Sequence, residues 1–184
     1  MVTDEQLLEQ ALGGNEHSFL LLYRARQAAV YRFALHMSGN PALAEDVTQE
    51  VFLALLERGN RYDSARGPLL PFLYGIARHL TLRRLQKMDM DTATGEWTVE
   101  EDLLDDLSRR ETIDAVRRAV LSLPMVYREA VVLLDIEGAS YEQAAAILDC
   151  PIGTIRSRLS RGRAMLAQKL EVWNPAAKTV RSAL

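Results

Sequence analysis

Apolar residues recur along this chain with the period of a helix, about 3.6 residues, and nowhere with the strict alternation of a half-buried strand. The stretch Gly138–Leu170 shows the pattern most fully. Ser140-Tyr-Glu-Gln143 has the S-x-x-Q form of a capping box and predicts a short helix from Tyr141 to about Leu148. Pro151, which lacks an N–H, cannot continue it, and Gly153-Thr154 opens a longer helix. On that second helix Ile155, Leu159, Leu166 and Leu170 fall on one side. Thr154, Ser157 and Arg161 fall opposite, flanked by Arg156, Arg158 and Arg163. Two helices, a tight turn and small Ala144-Ala145 at the crossing predict a helix-turn-helix. Its exposed face offers guanidinium forks and hydroxyls suited to phosphates and guanine edges.

The rest of the chain reads as further helices. Thr3-Asp-Glu-Gln6 is a second capping box, for a helix through Leu12 that Gly13-Gly14 ends. Glu16–Met37 carries a broad apolar stripe of Phe19, Leu22, Tyr23, Val30 and Phe33. Gly39 suits a C-cap, Asn40 an N-cap and Pro41 a first helical position, so a new helix runs from Pro41 to about Glu57. That helix is apolar on two sides: Leu43, Val47, Val51 and Leu55 on one, Phe52, Leu53 and Leu56 on another, beside Glu45, Asp46 and Gln49. Either its own neighbours wrap it, or its second side docks a partner protein.

Gly59–Pro71 reads as a loop, with Arg61, Tyr62 and Arg66 among its turn residues. A ring and guanidinium groups on a loop suit an unstacked base, unless Tyr62 folds back on the core. From Pro71 to about Lys87 a helix turns Leu73, Ile76, Ala77 and Leu80 inward and shows a basic side of Arg78, His79, Arg83, Arg84 and Lys87. Beyond a connector lie two more helices, one from about Glu100 or Leu103 to Leu121 and one from Met125 to Ile136, with Pro124 breaking between them.

Charge sharpens this picture. The 184 residues carry a net charge of −3, yet the acids crowd between Asp91 and Asp106 while the arginines crowd from Arg156 onward. Cys150 is the single cysteine, which excludes an intrachain disulfide and a cysteine-based zinc site; it reads as an apolar plug in the turn. No phosphate loop, nucleophile elbow or metal-ligand spacing is present, so neither an enzyme nor a metal or cofactor site is expected. With no signal peptide and no membrane-length apolar run, a cytoplasmic protein is expected.

Four ordered blocks resemble the extracytoplasmic-function (ECF) type of bacterial RNA polymerase sigma factor, within the sigma-70 family. They are Ala44–Phe52, Tyr62-Asp63 with Phe72–Arg78, Leu123–Glu129, and Tyr141–Ala145 with Gly153–Leu159. The resemblance implies an all-α fold of two small helical domains joined by an acidic flexible linker. An N-terminal domain (1–88) would dock on polymerase and recognise and melt the −10 element. A linker (89–106) would lead to a C-terminal helix-turn-helix domain (107–173) reading the −35 element, and a tail (174–184) would complete the chain. Asp46, Gln49, Glu50, Phe52 and Leu53 would contact the clamp helices of the core polymerase's large subunit. Asn60, Arg61, Tyr62 and Arg66 would capture a flipped base, and Arg78, Arg83, Arg84 and Lys87 would hold phosphates. Thr154, Arg156, Ser157, Arg158, Arg161 and Arg163 would meet promoter duplex. An anti-sigma factor is an expected partner, and the free chain is expected to be a monomer. His79 and Arg83 depart from the family's usual Asn and Asp, and Asp149 stands where Gly is usual. Two other readings compete: a stand-alone helix-turn-helix regulator, and a sigma-like decoy that titrates an anti-sigma factor.

Overall fold

In a computed structural model the described residues are 2–91 and 107–171, and every regular element among them is helical. The acidic connector, Trp97, Trp173 and the tail lie outside the described residues. Helices α1 (Asp4–Leu12), α2 (Glu16–Ser38), α3 (Pro41–Arg58) and α4 (Leu69–Asp91) form the N-terminal region. Helices α5 (Leu107–Leu121), α6 (Met125–Val131), α7 (Tyr141–Leu148) and α8 (Ile152–Glu171) form the C-terminal region.

The helix ends arise from local chemistry. The hydroxyls of Thr3 and Ser140 each accept from the N–H three residues on, and Gln6 and Gln143 return the bond to the cap's own N–H. Gly39 ends α2 in the left-handed region at φ 70°, and Asn40 caps α3 directly after it, with Pro41 in the first turn. The sequence pattern places α4's start at Pro71, but the helix begins two residues earlier, at Leu69. A proline within the first turn has no N–H to waste, so it need not mark the boundary.

Met125–Ile136, expected as one helix, is instead α6 continued by a π-helical turn over Val132–Ile136. There the Glu137 N–H reaches the Val132 carbonyl, five residues back, at 2.9 Å. The wider turn rotates the end of the helix about its axis, so Asp135 and Glu137 meet different neighbours.

Leu22, Val30, Phe33, Leu43, Val47, Val51, Leu55, Leu69 and Leu73 fill the N-terminal core. This cluster continues without a break into Val120, Val132, Leu133, Ala144, Leu148 and Ile155. The two regions therefore pack directly on one another. A smaller cluster of Leu123, Ala130, Val131 and Leu159 anchors α8 on α6. Gly162 sits at that crossing: a Cβ there would lie 2.8 Å from Val131 Cγ2, closer than packed atoms allow.

Candidate nucleic-acid interface

Helix α8 presents its basic face as its apolar spacing demands. Ile155 and Leu159 are buried, while Arg156, Ser157 and Arg161 are exposed and Thr154 and Arg158 half-exposed. The turn ahead of it places Asp149 at φ 48° and ψ 53°, the one positive-φ residue other than glycine among the described residues. Asp tolerates this left-handed region better than most residues, so the turn closes without glycine. Cys150 is half-buried against the core beside it.

The arginines of α8 are not equivalent. Arg156, Arg158 and Arg161 form no salt bridge with a described residue. Arg156 instead lies over the Tyr141 ring, 5.7 Å from its centroid. Arg163 is held by both carboxylate oxygens of Asp135, at 2.5 and 3.0 Å, and this pairing raises its pKa further. Of the six residues expected here, Arg163 is thus the one held in an ion pair with a described residue.

On the N-terminal region the basic surface of α4 is largely committed as well. Arg84 reaches Asp46 at 2.8 Å and Glu50 at 2.7 Å, and the Glu50 hydrogen bond is the main reason its pKa is raised. Arg83 meets the other oxygen of Glu50 at 2.9 Å. Acids grouped by the sequence with a polymerase contact and arginines grouped with DNA phosphates therefore form one ladder across α3 and α4. Lys87 is exposed, and with Arg83, Arg84, Asp46, Asn40 and Met88 it lines an open cleft of about 710 Å³. Arg78 bonds Glu129 of α6 at 2.7 Å.

Two expected site residues face inward. Phe52 is only 2% exposed and packs edge-on against Tyr23, 4.8 Å between centroids, and against Phe19. Its ring belongs to the core, because α2 supplies two aromatic partners that helical spacing on α3 alone does not reveal. Leu53, beside it, is 60% exposed, and Gln49 is exposed. Tyr62 folds back: its ring packs on Phe72 at 5.4 Å and its hydroxyl donates to the Gly67 carbonyl at 2.9 Å. Burial first, then the nearby Glu5 carboxylate, push its phenol up to about 12. A ring so held braces the loop and is not free to stack on a base. Arg61 and Arg66 remain exposed on the paired 3₁₀ turns Gly59–Arg61 and Ser64–Arg66, and the Asn60 side chain lies outside the described residues.

Several residues that matter here are not singled out by the sequence pattern. Glu129, 3% exposed, sits beside the buried Ala130 and Val131 on α6, and such an acid among core residues is itself a signal of a buried partner. Arg128 donates to the carbonyls of Leu121, Leu123 and Met37, closing the ends of α5 and α2, and burial lowers its pKa. Tyr74 and Glu137 meet at 2.8 Å, a contact no local pattern announces.

The comparisons with known proteins agree with this arrangement. The family description Sigma-70 region 2 matches residues 22–89, and Sigma-70, region 4 matches 113–166. The ECF RNA polymerase sigma factor SigC of Mycobacterium tuberculosis is 35% identical over 171 residues, covering 89% of this chain and 91% of that one. The ECF sigma-E factor of Escherichia coli K12 is 31% identical, covering 92% and 95%. SigE of Mycolicibacterium smegmatis is 36% identical over 156 residues, and the match spans 60% of that longer protein. Among solved structures, the sigma factor RpoE bound to the anti-sigma factor NepR from Bartonella quintana matches with a TM-score of 0.69 and 28% identity, covering 83% of this chain and 94% of that one. CnrH in complex with the cytosolic domain of CnrY matches with a TM-score of 0.71 and 25% identity, covering 92% and 97%. The chain belongs to the ECF subfamily of sigma-70 RNA polymerase sigma factors.

Proposed function

We propose that this chain docks on core RNA polymerase through the exposed side of α3, with Asp46, Gln49, Glu50 and Leu53 against the large subunit's clamp helices. Residues 1–88 then act as the −10 domain. Asn60, Arg61 and Arg66 meet the non-template strand, and Arg78, Arg83, Arg84 and Lys87 lie along its phosphates. Residues 107–173 act as the −35 domain, with Thr154, Arg156, Ser157, Arg158 and Arg161 in the major groove. The observation that carries this reading is the row of arginines on α8 without salt bridges to described residues, mounted on a capped helix-turn-helix. Phosphate contacts supply salt-sensitive affinity and the α8 side chains supply sequence choice. Two weak DNA contacts on one chain raise each other's effective concentration. An anti-sigma factor is a fitting partner, since a similar sigma factor was solved with one. No described helix is long and apolar enough to cross a membrane, in keeping with work beside DNA in the cytoplasm.

Transcription of a fragmented genomic library by purified core polymerase, with and without the chain, tests this. Discrete new start sites that appear only with the chain are expected. Core-only transcript patterns in both reactions would overturn the reading.

A further inference from the structure

Tyr141 is the first residue of α7, and its place is fixed twice over. The Ser140 hydroxyl accepts from the Gln143 N–H at 3.1 Å and the Gln143 side chain accepts from the Ser140 N–H at 2.9 Å, which pins the start of the helix. The Tyr141 ring is half-buried and packs on both apolar clusters, the large one and the small one around Leu159. Arg156 is exposed on α8, and its guanidinium carbon lies over that ring, 5.7 Å from the centroid. Glu142, the next residue of α7, feels the same charge. Its carboxyl sits below the usual range, first through its own backbone N–H and the Ser140 hydroxyl, with Arg156 adding to the effect. Among the described residues neither Arg158 nor Arg161 lies over a ring or in an ion pair. Of these three arginines, Arg156 is the one whose head group already has a place.

We infer that Tyr141 is a positioning residue for promoter choice: its ring holds Arg156 in the arc from which the guanidinium fork meets one base pair of the duplex. An unsupported arginine on a helix surface samples many rotamers and reaches phosphates and several base edges alike. Ordering such a side chain on DNA costs affinity. Contact through the face of a ring lowers that cost. It also leaves the in-plane N–H donors open for the paired acceptors of guanine. The ring thus raises discrimination at one position and leaves the phosphate contacts of the neighbouring arginines as they are. The inference rests on the reading of α8 as the duplex-facing helix.

The test uses holoenzyme assembled from the full chain and core polymerase. A pool of duplexes with a randomised upstream segment gives the preferred sequence, and Arg156→Ala identifies the base pair whose preference depends on that arginine. Tyr141→Leu and Tyr141→Phe are then measured on the preferred duplex and on one changed at that pair. Loss of the ring is expected to weaken binding to the preferred duplex about two- to fivefold, the range of an exposed cation–ring contact. Binding to the changed duplex should stay as it is, and Tyr141→Phe should keep the parent's discrimination. In the Arg156→Ala background Tyr141→Leu should have no further effect. Tyr141→Met fills the same gap with a flexible apolar chain and gives the same reading should leucine disturb the fold. Equal weakening on both duplexes, or weakening that persists without Arg156, means that the ring touches DNA itself or only supports the fold, and overturns the inference. So does a Tyr141→Phe variant as weak as Tyr141→Leu, or an Arg156→Ala variant that keeps every base preference. A preferred duplex that depends on Arg156 but not on Tyr141 sinks the positioning role and leaves the α8 reading intact. A parent holoenzyme that enriches no upstream sequence sinks both.

Discussion

Helices α4 and α8 carry similar numbers of arginines and use them in opposite ways. On α4, Arg78, Arg83 and Arg84 each hold a carboxylate of a neighbouring helix. On α8, Arg156, Arg158 and Arg161 hold none among the described residues, and only Arg163 is tied, to Asp135. A basic stripe in a sequence is thus two different objects. On one helix it knits the scaffold together, and on the other three of its four guanidinium groups hold no carboxylate among the described residues. Binding DNA through α4 means first breaking protein ion pairs, whereas α8 needs no such rearrangement.

The difference can be pressed from several directions. The largest effect is expected in the N-terminal core, where the inner side of α3 is structural. Phe52→Ala removes a ring set among aromatic partners and should cost about 3–5 kcal/mol of stability in chemical denaturation. Leu53→Ala, one residue on, should change stability by less than about 0.5 kcal/mol and instead weaken association with core polymerase. Equal loss of stability in both would erase the distinction between the two sides of α3. Next comes the α8 pivot. Gly162→Ala forces a methyl against Val131 and should cost about 1–3 kcal/mol, read as a lower melting temperature. Arg156→Ala and Arg161→Ala should each weaken promoter binding by about 1–3 kcal/mol where the side chain reaches a base. Their melting temperatures should stay unchanged, since neither residue is held in a described ion pair. Arg84→Ala should do the reverse in part. It should lower stability by no more than about 1 kcal/mol, because its pairs are partly open to solvent.

The smallest effect is one of pH. Burial lowers the His36 pKa below its ordinary 6.5, and Arg117 and Arg32 push the same way against Glu137. Between the folded value and 6.5 the unfolded chain binds more protons than the folded one, so this histidine makes stability fall as pH drops through that window. Melting at pH 7.5 and 5.5 should show the decline, and His36→Gln should flatten it. A steeper decline in the variant would rule the assignment out.

Much of the fold was legible because it rests on short-range rules. The capping boxes at Thr3 and Ser140, the Gly39-Asn40-Pro41 stop and start, and the inward spacing of Ile155 and Leu159 are all written within a few residues of where they act. What stayed hidden depends on residues far apart in the chain. Phe52 looks available until α2 brings Phe19 and Tyr23 over it, and Tyr62 looks mobile until Phe72 and Gly67 hold it. The ladder of Asp46, Arg84, Glu50 and Arg83 could not be read from α3 or α4 alone. The π-helical turn stayed hidden for another reason: one extra residue in a turn leaves no mark on an apolar run.

Gly162 limits how promoter choice in this chain can be changed. The outward positions of its helix are open to redesign, and new target sequences can be sought there by exchanging side chains. The inward glycine is different, because any larger residue would tip the whole rod away from its support and displace every outward group at once. Libraries built to retarget this protein should randomise the outer face and leave that one hinge-side position alone.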